Sequence, residues 1–417
     1  MPRSSRRRSL ADQGSRAWRR TVAKGPLVEP GRPWAWARFF SADPRSWILD
    51  SAEPAATWSL LTGVLDHSDD DGEVVAAHRA LITDPRTRDL IDRLPDWEGG
   101  QPLSGHDSPK FAPNLLNLLA DMGFRAGDSR RVDRVLEQML AHQDTVGHFQ
   151  SYAPQRGWDT PMWGALLCDS HAVVEVLVRY GHGRDARVLA GHARMTDDLT
   201  ETAQGRAWLC LPDPVTRFRG PGRKGDFCPQ VTLEALRVHA RLAETERPPG
   251  LLDAGLLDVS LLDVARVSLA AWQRRDTQKP YMFGHGKTFK TVKWPPTWYR
   301  VYAVLDTLGR YPGLWRGEDV RPEDRRSMAE LIAVLIAYNM TDDGRVVPRS
   351  TSRGFEAFSF GQKKEPSAFA TARVLTVLHR LDDLAQEAQA IDVTSLSSSK
   401  GGAGVALPPS PMVTRGD

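Results

Sequence analysis

Leu119-Ala-Asp-Met-Gly123 closes an apolar stretch of helical periodicity. The phrase returns in degenerate form as LVRYG from Leu177, LRVHA from Leu236, LDTLG from Leu305 and LHRLD from Leu378. The anchor leucines lie 58, 59, 69 and 73 residues apart, and a weaker copy, WSLLTGVLD from Trp58, precedes the first at a similar interval. Self-similarity at a near-fixed spacing marks a repeat architecture, whose units bury their apolar faces only against one another. A second helical pattern follows each anchor: 110–122 pairs with 129–142, 166–180 with 184–195, 228–243 with 258–274, 296–309 with 322–340, and 366–383 closes the series. The first helix of each pair is rich in Leu, Val and Ala, whereas the second carries more Arg, Asp and Glu. That asymmetry predicts a buried inner ring and a half-exposed outer ring. The expected fold is all-α, an α/α toroid of about five to six helical hairpins, with an open α-solenoid as the alternative.

At 417 residues and 41% hydrophobic content the chain suits one large repeat domain. The expected organisation is a basic, partly disordered arm over 1–43, the toroid domain over 44–392 and a disordered Ser/Gly/Pro-rich tail over 393–417. Lys and Arg (55) nearly balance Asp and Glu (52), which argues against a dedicated nucleic-acid surface. The basic excess is local to the arm, from Arg3 to Lys24, and reads as a solvated segment or a peripheral contact with an anionic membrane. No apolar h-region follows these arginines and no run of 18 apolar residues exists, so neither a secretory signal nor a membrane span is expected. Cys168, Cys210 and Cys228 match no disulfide framework or zinc ribbon. A reducing, cytoplasmic setting is expected, at the membrane periphery if the arm binds there.

Several phrases, LADMGF, LVRYGH, the turn in AHQDTVGHFQSY, WLCLPD before GDFCPQVTLEALRV, and FSFGQKKEPSAFATARVLTVL, extend the pattern. With them the chain resembles the terpenoid cyclase and protein prenyltransferase toroid superfamily, and more closely bacterial proteins with prenyltransferase and squalene oxidase repeats. The resemblance covers residues 44 to 383. It implies an isoprenoid-handling protein with an apolar central cavity, and a small apolar or isoprenoid ligand. Protonating cyclases of that superfamily use a D-x-D-D acid, but the one such cluster here, Asp66 to Asp71, sits in a turn. DDLTE at Asp197 has the letters of a magnesium motif, yet it shares its repeat position with Asp342 and Asp343, which reads as a turn. Prenyltransferases hold zinc through Asp-x-Cys and a later His. Asp226-Phe-Cys228 offers the pair, but Trp298, Tyr299 and Arg300 stand where the His is wanted, and His285 in the preceding loop could substitute only if that loop folds inward. No cofactor is expected, zinc or magnesium being the alternative.

Aligning the units on their anchors gathers the polar residues at the starts of the inner helices. Asp169, His171, Asp226 and Cys228 are the candidate catalytic acid, base or ligand groups. Helix N-termini converging beside the cation-rich loops 216–224 and 284–293 would form a basic, anion-binding rim with Arg223, Lys287 and Arg300 as contacts. Trp163, Trp208, Trp294 and Trp298 are the candidate cavity wall, and Tyr299 joins Trp163 and Trp298 as a candidate substrate contact. Two other readings stand beside this one: a non-catalytic ligand- or partner-binding scaffold, and a carbohydrate-active α/α barrel with two carboxylates across a cleft. Cavity contents separate the three. An isoprenoid site needs an apolar aromatic lining, a sugar site an acid-lined cleft, and a scaffold has a filled centre.

Overall fold

The computed structural model describes residues 34–153, 160–213, 225–244, 261–275, 277, 287–318 and 320–396. The chain is mostly helical. Along these residues run α1 (Pro44–Asp50), α2 (Pro54–Gly63), α3 (Gly72–Thr83), α4 (Pro85–Asp92), α5 (Ala112–Met122), α6 (Arg130–Ala141), α7 (Leu167–Arg179) and α8 (Ala186–Asp197). There follow α9 (Pro229–Glu244), α10 (Leu261–Gln273), α11 (Lys287–Lys290), α12 (Val301–Leu308), α13 (Pro322–Asn339), α14 (Ala368–Arg380) and α15 (Ala385–Gln389).

The six sequence anchors fall on α2, α5, α7, α9, α12 and α14. These six helices pack in cyclic order: α2 on α5, α5 on α7, α7 on α9, α9 on α12, α12 on α14, and α14 back on α2. Leu119, Leu177, Leu236, Leu305 and Leu378 are all fully buried, and Leu60 and Leu61 take the equivalent place in α2. The second helix of each pair packs against the first, with α3 on α2, α8 on α7, α10 on α9 and α13 on α12. Residues flanking this array also join the core: the Trp36 indole donates to the Leu378 carbonyl oxygen at 2.9 Å, and Leu396 is buried.

Helix starts follow a recurring local rule. Asp43, Asp84 and Asp185 each accept the backbone N–H two residues on and grip that same residue's guanidinium, that of Arg45, Arg86 and Arg187. Such N-caps each contribute about 1 kcal/mol. Gly123 ends α5 in the left-handed conformation, φ 105°, beneath the Trp58 ring.

The main departure from the expected boundaries is α12, which begins at Val301 rather than near 296. Pro295 and Pro296 hold the residues before them extended, and the loop runs on through Trp298, Tyr299 and Arg300. Three short strand pairs decorate the loops: Ser151–Ala153 with Met162–Gly164, Thr200–Thr202 with Gly205–Ala207, and Lys293–Trp294 with Ser350–Thr351. Among the described residues no helix is long and apolar enough to cross a membrane.

Candidate functional site

The loops entering α5 and α12 meet over two joined chambers. Thr297 Oγ1 donates to the Asp107 carbonyl oxygen at 3.1 Å, and the Trp298 ring stacks on His106 with centroids 5.3 Å apart. Asn114 fixes the first loop by donating to the His106 carbonyl oxygen at 2.7 Å. The outer chamber, ≈ 360 Å³, is lined by His106, Lys293, Thr297, Trp298, Arg300 and Tyr302 among others. The inner one, ≈ 80 Å³, shares Thr297, Trp298 and Tyr302 and reaches between α5, α7, α9 and α12.

The inner chamber is lined with charges where an apolar cavity was expected, while the outer chamber keeps Val292, Pro296, Trp298 and Ala303. The inner lining presents Asn117, Asp121, Glu175, Arg179, Glu234, Arg237, Arg241 and Asp306. The physical reason lies in the packing order: each anchor helix needs apolar residues only on the flanks that meet its neighbours, so a polar stripe can line the chamber.

These charges gather in three clusters, one around each ionised carboxylate. Arg179 reaches Asp121 at 2.7 Å and Arg373 reaches the same carboxylate oxygen at 3.1 Å. Arg237 grips both oxygens of Glu175 at 3.1 Å, and Arg241 adds a contact at 3.3 Å. Asp306 receives Arg380 at 3.0 Å and lies 3.6 Å from Arg310. Burial opposes the charge on all three carboxylates, but the guanidiniums outweigh it and hold each pKa below the usual range. Setting Arg241 and Arg310 aside, four arginines still share three carboxylates. Arg241 carries the mark of this excess: burial, then repulsion by Arg179 and Arg310, lowers its pKa to about 9.

Glu234 is the exception. Burial is the largest influence on it and pushes its pKa up to about 8, against the pull of Arg237 and His106, so at neutral pH it is mainly the neutral acid. Gln230 donates to its Oε1 at 2.6 Å, while Oε2 has no hydrogen-bond partner among the described residues. The Trp298 indole Nε1, at the junction of the chambers, is likewise buried and unpartnered. Buried polar atoms left open in this way mark the place of a ligand or ordered water.

Of the candidate catalytic residues, Asp169 lies in the first turn of α7 beside Cys168 and His106, and accepts the Ser151 hydroxyl at 2.5 Å. His171, one turn from the cavity-lining Glu175, does not line either chamber. It is buried against Trp208, its Nδ1 is 3.2 Å from the Val231 carbonyl oxygen, and burial lowers its pKa to about 4. Asp226 and Cys228 stand apart from both chambers: Asp226 accepts the Gln204 amide at 2.8 Å, and Cys228 hydrogen-bonds with Cys210, which with burial raises its thiol pKa. Among the described residues the two join no set of three metal donors. Trp298, Tyr299 and Arg300 do line the chambers. Trp163 does not, for its ring stacks on His142 at 3.6 Å. Arg223 lies outside the described residues, as do His285, most of the two cation-rich loops and the arm over 1–33; Lys287 opens α11, but its side chain is outside them too.

The acidic turn Asp66 to Asp71 serves local structure: Asp71 caps α3, Asp69 pairs with Arg125 and Asp66 with His379. Asp198, in the DDLTE string, is held by His148 at 2.6 Å and by Arg194 at 2.5 Å.

No family model matches the chain, and no curated protein matches it. Among solved structures it is similar to the type II terpene cyclase MstE from Scytonema, in the apo state, at 16% identity over 90% of this chain and 100% of that one, with a TM-score of 0.38. A variant of that cyclase in complex with geranylgeranyl dihydroxybenzoate, its substrate, gives 16% identity, 90% and 99% coverage and a TM-score of 0.39. A protein from Actinoplanes gives 14%, 89% and 99%, and 0.35.

Proposed function

We propose that the six anchor helices form the inner ring of an α/α toroid whose centre binds a small anionic molecule. The carrying observation is the set of guanidiniums at and behind the inner chamber: Arg179, Arg237 and Arg241 line it, and Arg373 and Arg380 pair with its Asp121 and Asp306, so that together they outnumber the ionised carboxylates Asp121, Glu175 and Asp306. Buried like charges repel strongly, and an anion bridging them removes that penalty. Arginine also matches phosphate and carboxylate oxygens two at a time. The ligand class is a phosphate, diphosphate or carboxylate whose apolar or aromatic part rests on Trp298 and Tyr302 in the outer chamber. A prenyl diphosphate belongs to that class, which keeps the isoprenoid reading open with its charged head inward.

Glu234 supplies the chemistry. A carboxyl titrating at about 8 suits proton donation to an oxygen of the bound molecule. It is too weak an acid to protonate an isolated alkene.

A carbohydrate ligand is the second reading. Glu234 is pushed up and the nearby Glu175 down, the split that acid and base partners need, and Trp298 offers a stacking face. Calorimetric titration decides between them. Inorganic diphosphate and geranyl diphosphate should bind, weaken with added salt, and weaken further in Arg237→Gln, while geraniol should not bind. Saturable binding of neutral oligosaccharides without any binding of the diphosphates would establish the second reading instead.

A further inference from the structure

We propose that His106, Cys168 and Asp169 form a zinc site at the wall of the outer chamber. His106 Nδ1 lies 3.4 Å from Cys168 Sγ and 3.5 Å from Asp169 Oδ1, and Cys168 Sγ lies 3.8 Å from Asp169 Oδ1. A tetrahedral zinc with Zn–S of about 2.3 Å and Zn–N and Zn–O of about 2.0–2.1 Å sets its donors about 3.3–3.6 Å apart. The three atoms therefore stand at the corners of one face of such a tetrahedron, with only a small contraction needed between sulfur and oxygen.

The donor set has the right chemistry. Thiolate, imidazole and carboxylate are each common zinc ligands, and two anions with one neutral ring balance the dication. Supporting contacts hold each ligand: Ser151 Oγ donates to the other carboxylate oxygen of Asp169 at 2.5 Å, and Trp298 stacks on the His106 ring. Such outer partners fix ligand orientation in metal sites. Both Cys168 and Asp169 sit on the first turn of α7, a rigid element, so only His106 comes from a loop. Zinc binding would displace the thiol proton of Cys168.

Among the described residues a fourth protein donor does not join the cluster. The fourth position is left for water or a ligand atom, the pattern of catalytic rather than structural zinc. His106 itself lines the outer chamber, which makes that position reachable from the proposed anion site. The site does not depend on the anion reading, and its test reads metal alone.

The full chain, stripped with chelator, is titrated with cobalt(II) and separately with zinc. Expected are one equivalent of bound metal and visible cobalt bands of tetrahedral intensity with a near-ultraviolet thiolate-to-cobalt charge-transfer band. That band should vanish in Cys168→Ser and persist in Cys228→Ser. Ser151→Ala, which leaves every ligand in place, should weaken zinc about 10- to 100-fold. The wild-type spectrum is decisive even if a variant fails to fold. No binding at micromolar metal, binding without the charge-transfer band, or a band lost in Cys228→Ser instead would each overturn the proposal.

Discussion

Arg373 donates to Asp121, Nη2 to Oδ1 at 3.1 Å, joining α14 to α5 over a sequence separation of 252 residues. Arg179 of α7 shares the same oxygen, so one carboxylate ties three of the six anchor helices together. Asp121→Asn leaves two buried guanidiniums without their countercharge. It should destabilise the fold by about 3 kcal/mol, as removal of one partner from a buried pair does. Urea unfolding of the two proteins checks this, and a difference below about 0.5 kcal/mol, the level of surface substitutions, would show the network to be slack.

Glu234 makes stability depend on pH in a definite direction. Its folded pKa is raised to about 8 from 4.5, so between those values the folded state holds a proton that the unfolded chain has released. Its contribution therefore declines as pH rises from 4.5 to 8 and is flat beyond. Glu234→Gln keeps the neutral shape, and the variant should gain on the wild type across that window. At 1.36 kcal/mol per unit the upper bound is about 5 kcal/mol, lessened by water in the cavity. Parallel melting curves from pH 4.5 to 9 measure it. Diphosphate affinity at pH 6, where the wild-type carboxyl is neutral too, should be unchanged.

Buried histidines act in the opposite sense. His171 and His192 are both lowered to about 4 by burial, and His239 lies well below its usual value. The unfolded chain takes up protons below 6.5 that the folded chain refuses, so stability should fall as pH drops from 6.5 to 4. For His171 alone the upper bound is about 3 kcal/mol. His171→Gln should flatten the acid limb of the melting profile without altering anion affinity at pH 7.5. A loss of affinity would restore His171 as a site residue.

Gly123 tests the helix-end geometry. Its φ of 105° disfavours a side chain, and a Cβ there would come within 2.4 Å of the Trp58 ring. Gly123→Ala should cost about 2–4 kcal/mol, the sum of left-handed strain and overpacking. Gly127→Ala has a similar φ of 85° but open space around it, and should cost about 1–2 kcal/mol. Chemical denaturation of the pair separates the steric from the backbone contribution.

The repeat was readable because packing writes it into the sequence: every anchor helix must bury the same flanks, so Leu119, Leu177, Leu236, Leu305 and Leu378 recur. The charged centre was written there too, in a stripe the apolar pattern hides. Asn117, Glu175 and Glu234 each stand two residues before an anchor, and Asp121, Arg179 and Arg380 two residues after one. Polar residues at those offsets on otherwise apolar helices are the signal for a polar centre. Trp298, Tyr299 and Arg300 line the chambers from a loop, although the apolar period predicts a helix from 296. His106 carried no local signal. It lies in a loop 62 residues from Cys168 and meets it only through the packing of α5 on α7.

The most direct measurement is a crystal structure of the protein grown with inorganic diphosphate. Density for the anion is expected in the inner chamber, within hydrogen-bonding reach of Arg179, Arg237 and Arg241 and near the open oxygen of Glu234. A well-ordered inner chamber holding only water, with diphosphate absent or confined to the outer surface, would contradict the anionic-ligand account.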